Sequence, residues 1–273
     1  MTARRIPTRT LVAVLLATIA GLVARTVIQG QFTKAGISPD IAADVSYLIV
    51  PVVLALLLFP LWQTERSFLA KQFHRADLNY RVVVNAIVIG FILRFIWWSQ
   101  LIAGVSFGIY YSADPDAIVG PVFSFRCAAP DILILGFVVM AILVPVIEEV
   151  VHRGYFLTAF RQRGFFVSIL ISALIFAVLH RVASLPYVFL AGLVLGTQYW
   201  ITRSLWSSLL THATMNGLVQ IDWRCMSGQW NPQAADIPVV IPGVLALVTL
   251  AGCLLTLYVL LRKMATGAHE TPR

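Results

Sequence analysis

The chain has 273 residues, of which 59% are apolar and 12% charged, with a formal net charge of +8 and a mean hydropathy of +0.87. A soluble domain averages about 45–50% apolar and about 25% charged residues, so this composition excludes an ordinary water-soluble globule and predicts an all-α, polytopic membrane helix bundle. The positive charge does not point to nucleic acid, because the basic residues lie in short loops between apolar runs, the pattern that orients a chain in a lipid bilayer.

Arg4, Arg5 and Arg9 precede an apolar run over residues 11–28. A basic stretch ahead of such a run also opens a secretory signal, but no small-x-small site closes it well, so it reads as the first span. Further apolar runs over 45–62 and 82–98, a run beginning at Ile132, and runs over 165–183, 185–201, 205–221 and 237–261 bring the expected number of transmembrane helices to about eight. Tyr80, Trp97, Trp98, Trp200 and Trp206 stand at run ends, where interfacial aromatics gather. The loop over 99–130 carries Asp114, Pro115 and Asp116 and is expected to hold a short interfacial segment. No repeat, low-complexity stretch or linker marks a second domain, so residues 1–273 read as a single integral membrane domain.

Placing the N-terminus inside puts Arg4, Arg5, Arg9, Arg66, Lys71, Arg75, Arg81, Arg161, Arg163, Arg203, Arg262, Lys263 and Arg273 on the inner side, against Lys34, Arg126, Arg181 and Arg224 outside. That bias predicts cytoplasmic N- and C-termini and an even number of spans. Arg25, Arg94 and Arg153 remain within the spans. Arg25, near the outer end of the first span, is expected to snorkel. Arg94 is expected to pair with a carboxylate in the bundle or to bind a substrate group.

The chemistry concentrates at Glu148-Glu149-Val150-Val151-His152-Arg153, inside the apolar run that starts near Ile132. A charge at the centre of a span costs about 2.5–3.5 kcal/mol on the mildest scale. Four polar groups together are therefore either a helix end at the surface or a buried site. Two downstream pairs favour the site: Phe176 with His180, and His212 with Asn216. Each pair has i, i+4 spacing and shares a helix face. At a rise of about 1.5 Å per residue, and with the helices before and after 161–164 forming a hairpin, Glu148, His180, His212 and Asn216 fall at similar depth. Pro145 is expected to kink the helix one turn before the carboxylates and open room for water.

Glu148 has the chemistry to take a proton from water, and His180 to share that proton and deliver it to a leaving amine. His212 and Asn216 have the donors for an oxyanion. The reaction these roles describe is hydrolysis by an activated water without a covalent intermediate. Adjacent helical residues point about 100° apart, so Glu149, one turn from Arg153, is expected to form a neutralised supporting pair with it. His152 shares a face with Glu148. Two His and a carboxylate are also a plausible zinc set, but no H-E-x-x-H is present and Asn is a poor zinc ligand, so zinc is disfavoured and no cofactor is expected.

The motifs Glu148-Glu149-x-x-x-Arg153, Phe176-x-x-x-His180 and His212-x-x-x-Asn216 resemble, in order, spacing and span context, those of the CPBP family. That family comprises CAAX prenyl endopeptidases of the Rce1 type and bacterial relatives, glutamic-type intramembrane proteases with an eight-helix core. The resemblance covers residues 131–220, and the first three spans match only as generic apolar helices. It implies that Glu148 and His180 activate water, that His212 and Asn216 form the oxyanion site, and that the substrate is a membrane-associated protein or peptide. The segment Thr202-Arg203-Ser204-Leu205-Trp206 also looks like bacterial members, which points to the bacterial inner membrane. A non-catalytic binding or immunity protein that keeps the fold, and a transporter, are the alternative readings. Of the three cysteines, Cys253 reads as apolar filler in the last span. Cys127 and Cys225 are either unrelated loop residues or a bridge between the outer helix ends that leaves the cytoplasmic end open to substrate.

Overall fold

The computed structural model describes residues 6–74, 78–107, 130–180, 184–220 and 240–270, all helical or connecting, with no strand among them. Asp114, Pro115, Asp116, Cys127 and Cys225 lie outside the described residues, and with them the proposed bridge. The helices are α1 (Thr8–Lys34), α2 (Pro39–Tyr47), α3 (Ile49–Gln72), α4 (Tyr80–Ser106), α5 (Asp131–Arg163), α6 (Phe165–Val178), α7 (Leu185–Thr202), α8 (Leu205–Gln220) and α9 (Val240–Glu270).

Six of the described segments are long and apolar enough to cross a membrane: Thr8–Lys34, Ile41–Leu61, Tyr80–Gly104, Asp131–Arg163, Leu185–Thr202 and Gly243–Thr266. The chain is an integral membrane protein on that ground. Two of the eight expected spans fall short for different reasons. α6 has only 14 residues, about 21 Å at the helical rise, against a hydrocarbon core of about 30 Å. α8 has 16 residues and carries Ser207, Ser208, Thr211, His212 and Asn216, so its composition is set by what it faces inside the bundle. α4 runs on to Ser106, taking in the first part of the loop expected after Trp98. The span Ile41–Leu61 takes in most of the short helix α2, which is separate from α3. Ser38 caps α2 by accepting from the Ile41 amide at 3.4 Å, and Pro39 stands at its first turn.

The hairpin between α5 and α6 turns through a 3-10 stretch, Arg161–Arg163, and Gly164 at φ +90. The α7–α8 turn closes on Arg203 at φ +60. The two turns meet, because Arg161 and Arg203 both lie over the Trp200 ring, at 5.5 and 4.5 Å. The end of α3 joins them through Phe73, edge-on to Trp206 at 5.5 Å. Ile6 and Leu11 at the start of α1 pack with Leu69, Tyr155 and Phe156 at this same basic end. α9 begins where Gly243 meets Ser106 and Phe107 at the end of α4. It therefore returns alongside α4, so the start of α1 and the end of α9 share one end of the bundle.

The main apolar core gathers Ile89, Leu93 and Ile96 of α4, Phe176 and Ala177 of α6, Val188, Ala191 and Val194 of α7, Met215 of α8 and Leu257 of α9. Outward faces carry exposed Leu16, Val23, Leu56, Phe166, Val178, Val248 and Leu255, a surface suited to acyl chains. In lipid the bundle gains little from hiding apolar groups, and close backbone approach does more. At Gly90 an added Cβ would meet Thr214 Cβ at 2.7 Å and the Thr211 carbonyl oxygen at 2.9 Å. At Gly192 it would meet Ala173 Cα at 3.0 Å. These two glycines set how near α8 stands to α4, and α7 to α6.

Candidate active site

α5 does not keep one helical pitch. It is α-helical at Pro130–Gly136, π-helical at Phe137–Leu143, α-helical at Val144–Glu149 and π-helical again at Val150–Leu157. Pro145 stands at the junction where the first wide segment gives way to the α turn, which accommodates a residue that has no N–H and crowds the preceding turn. Neighbouring side chains reach carbonyls in both wide segments. Asn216 Nδ2 donates to the Met140 carbonyl at 3.0 Å. Ser172 donates to His152 at 3.0 Å, Thr158 to Arg153 at 3.1 Å and Gln72 to Gly154 at 3.4 Å. Backbone groups loosened by the π turns are thus satisfied inside the protein, as a lipid environment demands.

The α turn between the wide segments carries the two carboxylates. Glu149 is fully buried, and Arg153 Nη1 donates to its Oε1 at 2.8 Å. This is the pair anticipated from the i, i+4 spacing. Arg153 is fully buried too; its Nη2 donates to the Gly192 carbonyl at 3.2 Å and its guanidinium lies 4.6 Å over the Phe176 ring. Glu148 is 23% exposed. His212 stands between the two carboxylates, with Nδ1 3.0 Å from Glu149 Oε1 and Nε2 3.6 Å from Glu148 Oε2. The first is a hydrogen bond and the second is a close approach just beyond one. The link from Glu149 to His212 was not legible in the motif spacing, which assigned Glu149 to Arg153 alone.

Phe176 is the hub of the site. Its ring centroid lies 5.0 Å from that of His152, 4.7 Å from His180 and 5.8 Å from His212, with the first and third edge-on. One apolar ring spaces three imidazoles from three helical elements. His180 lies just past the end of α6, with its amide bonded to the Ala177 carbonyl at 2.9 Å. Its Nδ1 is 2.8 Å from the Phe176 carbonyl. A carbonyl only accepts, so Nδ1 carries the proton and Nε2 is left for other work.

A cavity of about 400 Å³ adjoins these residues. Glu148, His152 and His180 line it, along with Met140, Val144, Ile147, Val151 and Leu179 from the same helices. Thr18, Leu22, Arg25, Ala43, Asp44, Tyr47 and Val50 close it from α1 to α3, and Ser184 and Gln220 from α7 and α8. Its lining draws on the end of α6, the start of α7 and the end of α8. The cavity therefore lies toward the end of the bundle opposite the basic turns. His212 and Asn216 do not line it; His212 reaches it only through its approach to Glu148.

The two leftover arginines each meet an aromatic ring. Arg25 does not simply snorkel, since its guanidinium lies 3.4 Å from the Tyr47 ring centroid and both residues line the cavity. The cause is α2, which packs against α1 and which the apolar run over 45–62 did not separate from α3. Arg94 meets no carboxylate among the described residues and lies 4.8 Å over the Trp98 ring, a residue one turn along its own helix. Asp44, Tyr47 and Gln220 went unrecognised as site residues. The one available signal was the Ser38-Pro39 helix start that places Asp44 and Tyr47.

No curated protein and no solved structure matches the chain. Residues 130–218 match the family model of type II CAAX prenyl endopeptidases, Rce1-like, and it is this stretch that carries both carboxylates, Arg153, Phe176, the three imidazoles and Asn216. The buried polar centre thus lies within the stretch that matches the Rce1-like family model.

Proposed function

We propose that the protein is a glutamic-type intramembrane endopeptidase that hydrolyses a peptide bond of a membrane-associated protein or peptide. One observation carries the reading. Of two adjacent carboxylates, Glu149 is locked by Arg153 and His212, whereas Glu148 lines a cavity and has no direct hydrogen bond to protein among the described residues. A buried, neutralised carboxylate beside one with open access is a division of labour suited to holding a site and using it.

In this mechanism Glu148 takes a proton from a water molecule, whose oxygen attacks the scissile carbonyl carbon. The carbonyl π pair moves to oxygen, and the oxyanion accepts hydrogen bonds from the His212–Asn216 pair. Glu148 passes that proton to the bare Nε2 of His180, and collapse of the tetrahedral species breaks the C–N bond as His180 Nε2 hands the proton on to the leaving amine. Glu149 orients His212 by accepting from Nδ1, and in the doubly protonated ring Nε2–H is a donor. Asn216 keeps a second amide hydrogen besides the one given to Met140.

The reading includes a single domain over 1–273, an Rce1-like core over 131–220, eight membrane-crossing helices with both termini cytoplasmic, the bacterial inner membrane as location, and no metal cofactor. The basic turns and the shared end of α1 and α9 support the orientation, and no nucleic-acid partner is proposed. The test is comparison of new peptide termini in cells expressing the wild type and Glu148→Gln at equal levels. Termini present only with the wild type support the reading. Their absence at matched expression returns the chain to the alternatives of a non-catalytic binding or immunity protein, or a transporter.

A further inference from the structure

Two of the three imidazoles around Phe176 have polar partners. His212 faces a carboxylate with each, and His180 gives Nδ1 to the Phe176 carbonyl. His152 is different. It is 2% exposed, and its Nδ1 is sealed from solvent with no hydrogen-bond partner. Its ring lies near those of Phe156 and Phe176, with centroids 6.2 and 5.0 Å away. Buried polar atoms without partners are few in native proteins, and each calls for an account. A phenyl ring would fill the same space without that cost.

The cavity supplies the account. His152 lines it together with Glu148 and His180. With Nδ1 enclosed, Nε2 is the nitrogen that opens onto the cavity. A neutral ring that leaves only a lone pair at Nδ1 carries its proton on Nε2, so the cavity meets a donor. Glu148 accepts protons and His180 presents a bare Nε2, which makes His152 the cavity-lining imidazole able to donate to a carbonyl. His212 and Asn216, the donors already proposed, are not among the lining residues, so His152 adds a donor from the cavity side.

We propose that His152 is a further catalytic residue, whose Nε2–H donates a hydrogen bond to the oxygen of the scissile carbonyl as the activated water attacks. The proposal rests on the peptidase reading above. It involves no proton transfer from His152; the ring polarises the carbonyl and releases it unchanged when the C–N bond breaks.

The experiment uses the full chain in liposomes and a synthetic peptide spanning a cleavage site found by the terminus comparison above. His152→Phe keeps the ring packing and removes the donor. Replacement of His152 by Nε2-methylhistidine keeps the ring itself and blocks only that nitrogen. Both are expected to fold with the wild-type melting temperature, to lower kcat at least about tenfold, as loss of one oxyanion donor does, and to leave KM within about twofold. His152→Gln is expected to recover part of the loss. Wild-type kcat in the methylated protein overturns the proposal while Glu148→Gln remains inactive, and this outcome holds even if the Phe variant does not fold. A failure to find any Glu148-dependent cleavage overturns the peptidase reading itself, and the proposal with it.

Discussion

His212 Nδ1 and Glu149 Oε1 are 3.0 Å apart with both residues buried, and this contact ties α8 to the broken helix α5. It makes the second carboxylate of the motif the anchor and leaves the first, Glu148, toward the cavity. Glu149→Gln is therefore expected to behave differently from Glu148→Gln. The latter should abolish cleavage with the melting temperature unchanged. The former should lower both, because it leaves the Arg153 charge buried. Equal melting temperatures for the two variants would refute this division.

Arg153 bonds Glu149, caps the Gly192 carbonyl and covers Phe176. Removing one member of a buried pair costs about 3–5 kcal/mol, while replacing both members costs far less. Arg153→Met should thus unfold at markedly lower temperature in detergent than the double variant Glu149→Gln/Arg153→Met. A double variant as unstable as the single one would show that the guanidinium matters mainly through Gly192 and Phe176.

Gly90 and Gly252 offer a matched comparison. A methyl at Gly90 would stand 2.7 Å from Thr214 Cβ and 2.9 Å from a backbone oxygen of α8, whereas one at Gly252 meets nothing within 4 Å. Gly90→Ala should cost about 1–3 kcal/mol by overpacking and displace the helix that carries His212. Gly252→Ala should be neutral or stabilising, by up to about 1 kcal/mol of helix propensity. Thermal melts of the two proteins check both signs.

Asn216 has two roles here, donor to the Met140 carbonyl in the first π segment and proposed donor to the oxyanion. Asn216→Ala should lower kcat by about 10²–10³-fold, the usual loss for an oxyanion donor. Its melting temperature should fall only by what one net hydrogen bond contributes, about 1 kcal/mol. Near wild-type turnover would leave Asn216 as a support for the π turn alone.

Activity is expected to survive prolonged chelation, and the purified protein to carry no stoichiometric zinc. The motivation is the donor set: His212 is engaged by two carboxylates and Asn216 is a poor zinc ligand. Elemental analysis showing one zinc per active chain, lost together with activity, would overturn this.

Composition alone determined the environment of this protein, because 59% apolar residues in runs of helical length have few folds open to them outside a bilayer. Spacing determined the Glu149–Arg153 pair and the hairpin at Gly164, since both depend on contacts within a turn or two of one helix. The tertiary structure decided what depends on how separate helices meet. Hydropathy did not separate α2 from α3, and it is α2 that carries Tyr47 and Asp44 to the cavity and sets Tyr47 against Arg25. In the wide π turns of α5, carbonyls accept from Asn216, Ser172, Thr158 and Gln72, and three of those four donors lie on other helices. Phe176 reads in sequence as one apolar residue before a histidine. It is the packing of α5, α6 and α8 around its ring that brings three imidazoles to one place, with His152 facing a cavity that no spacing rule locates.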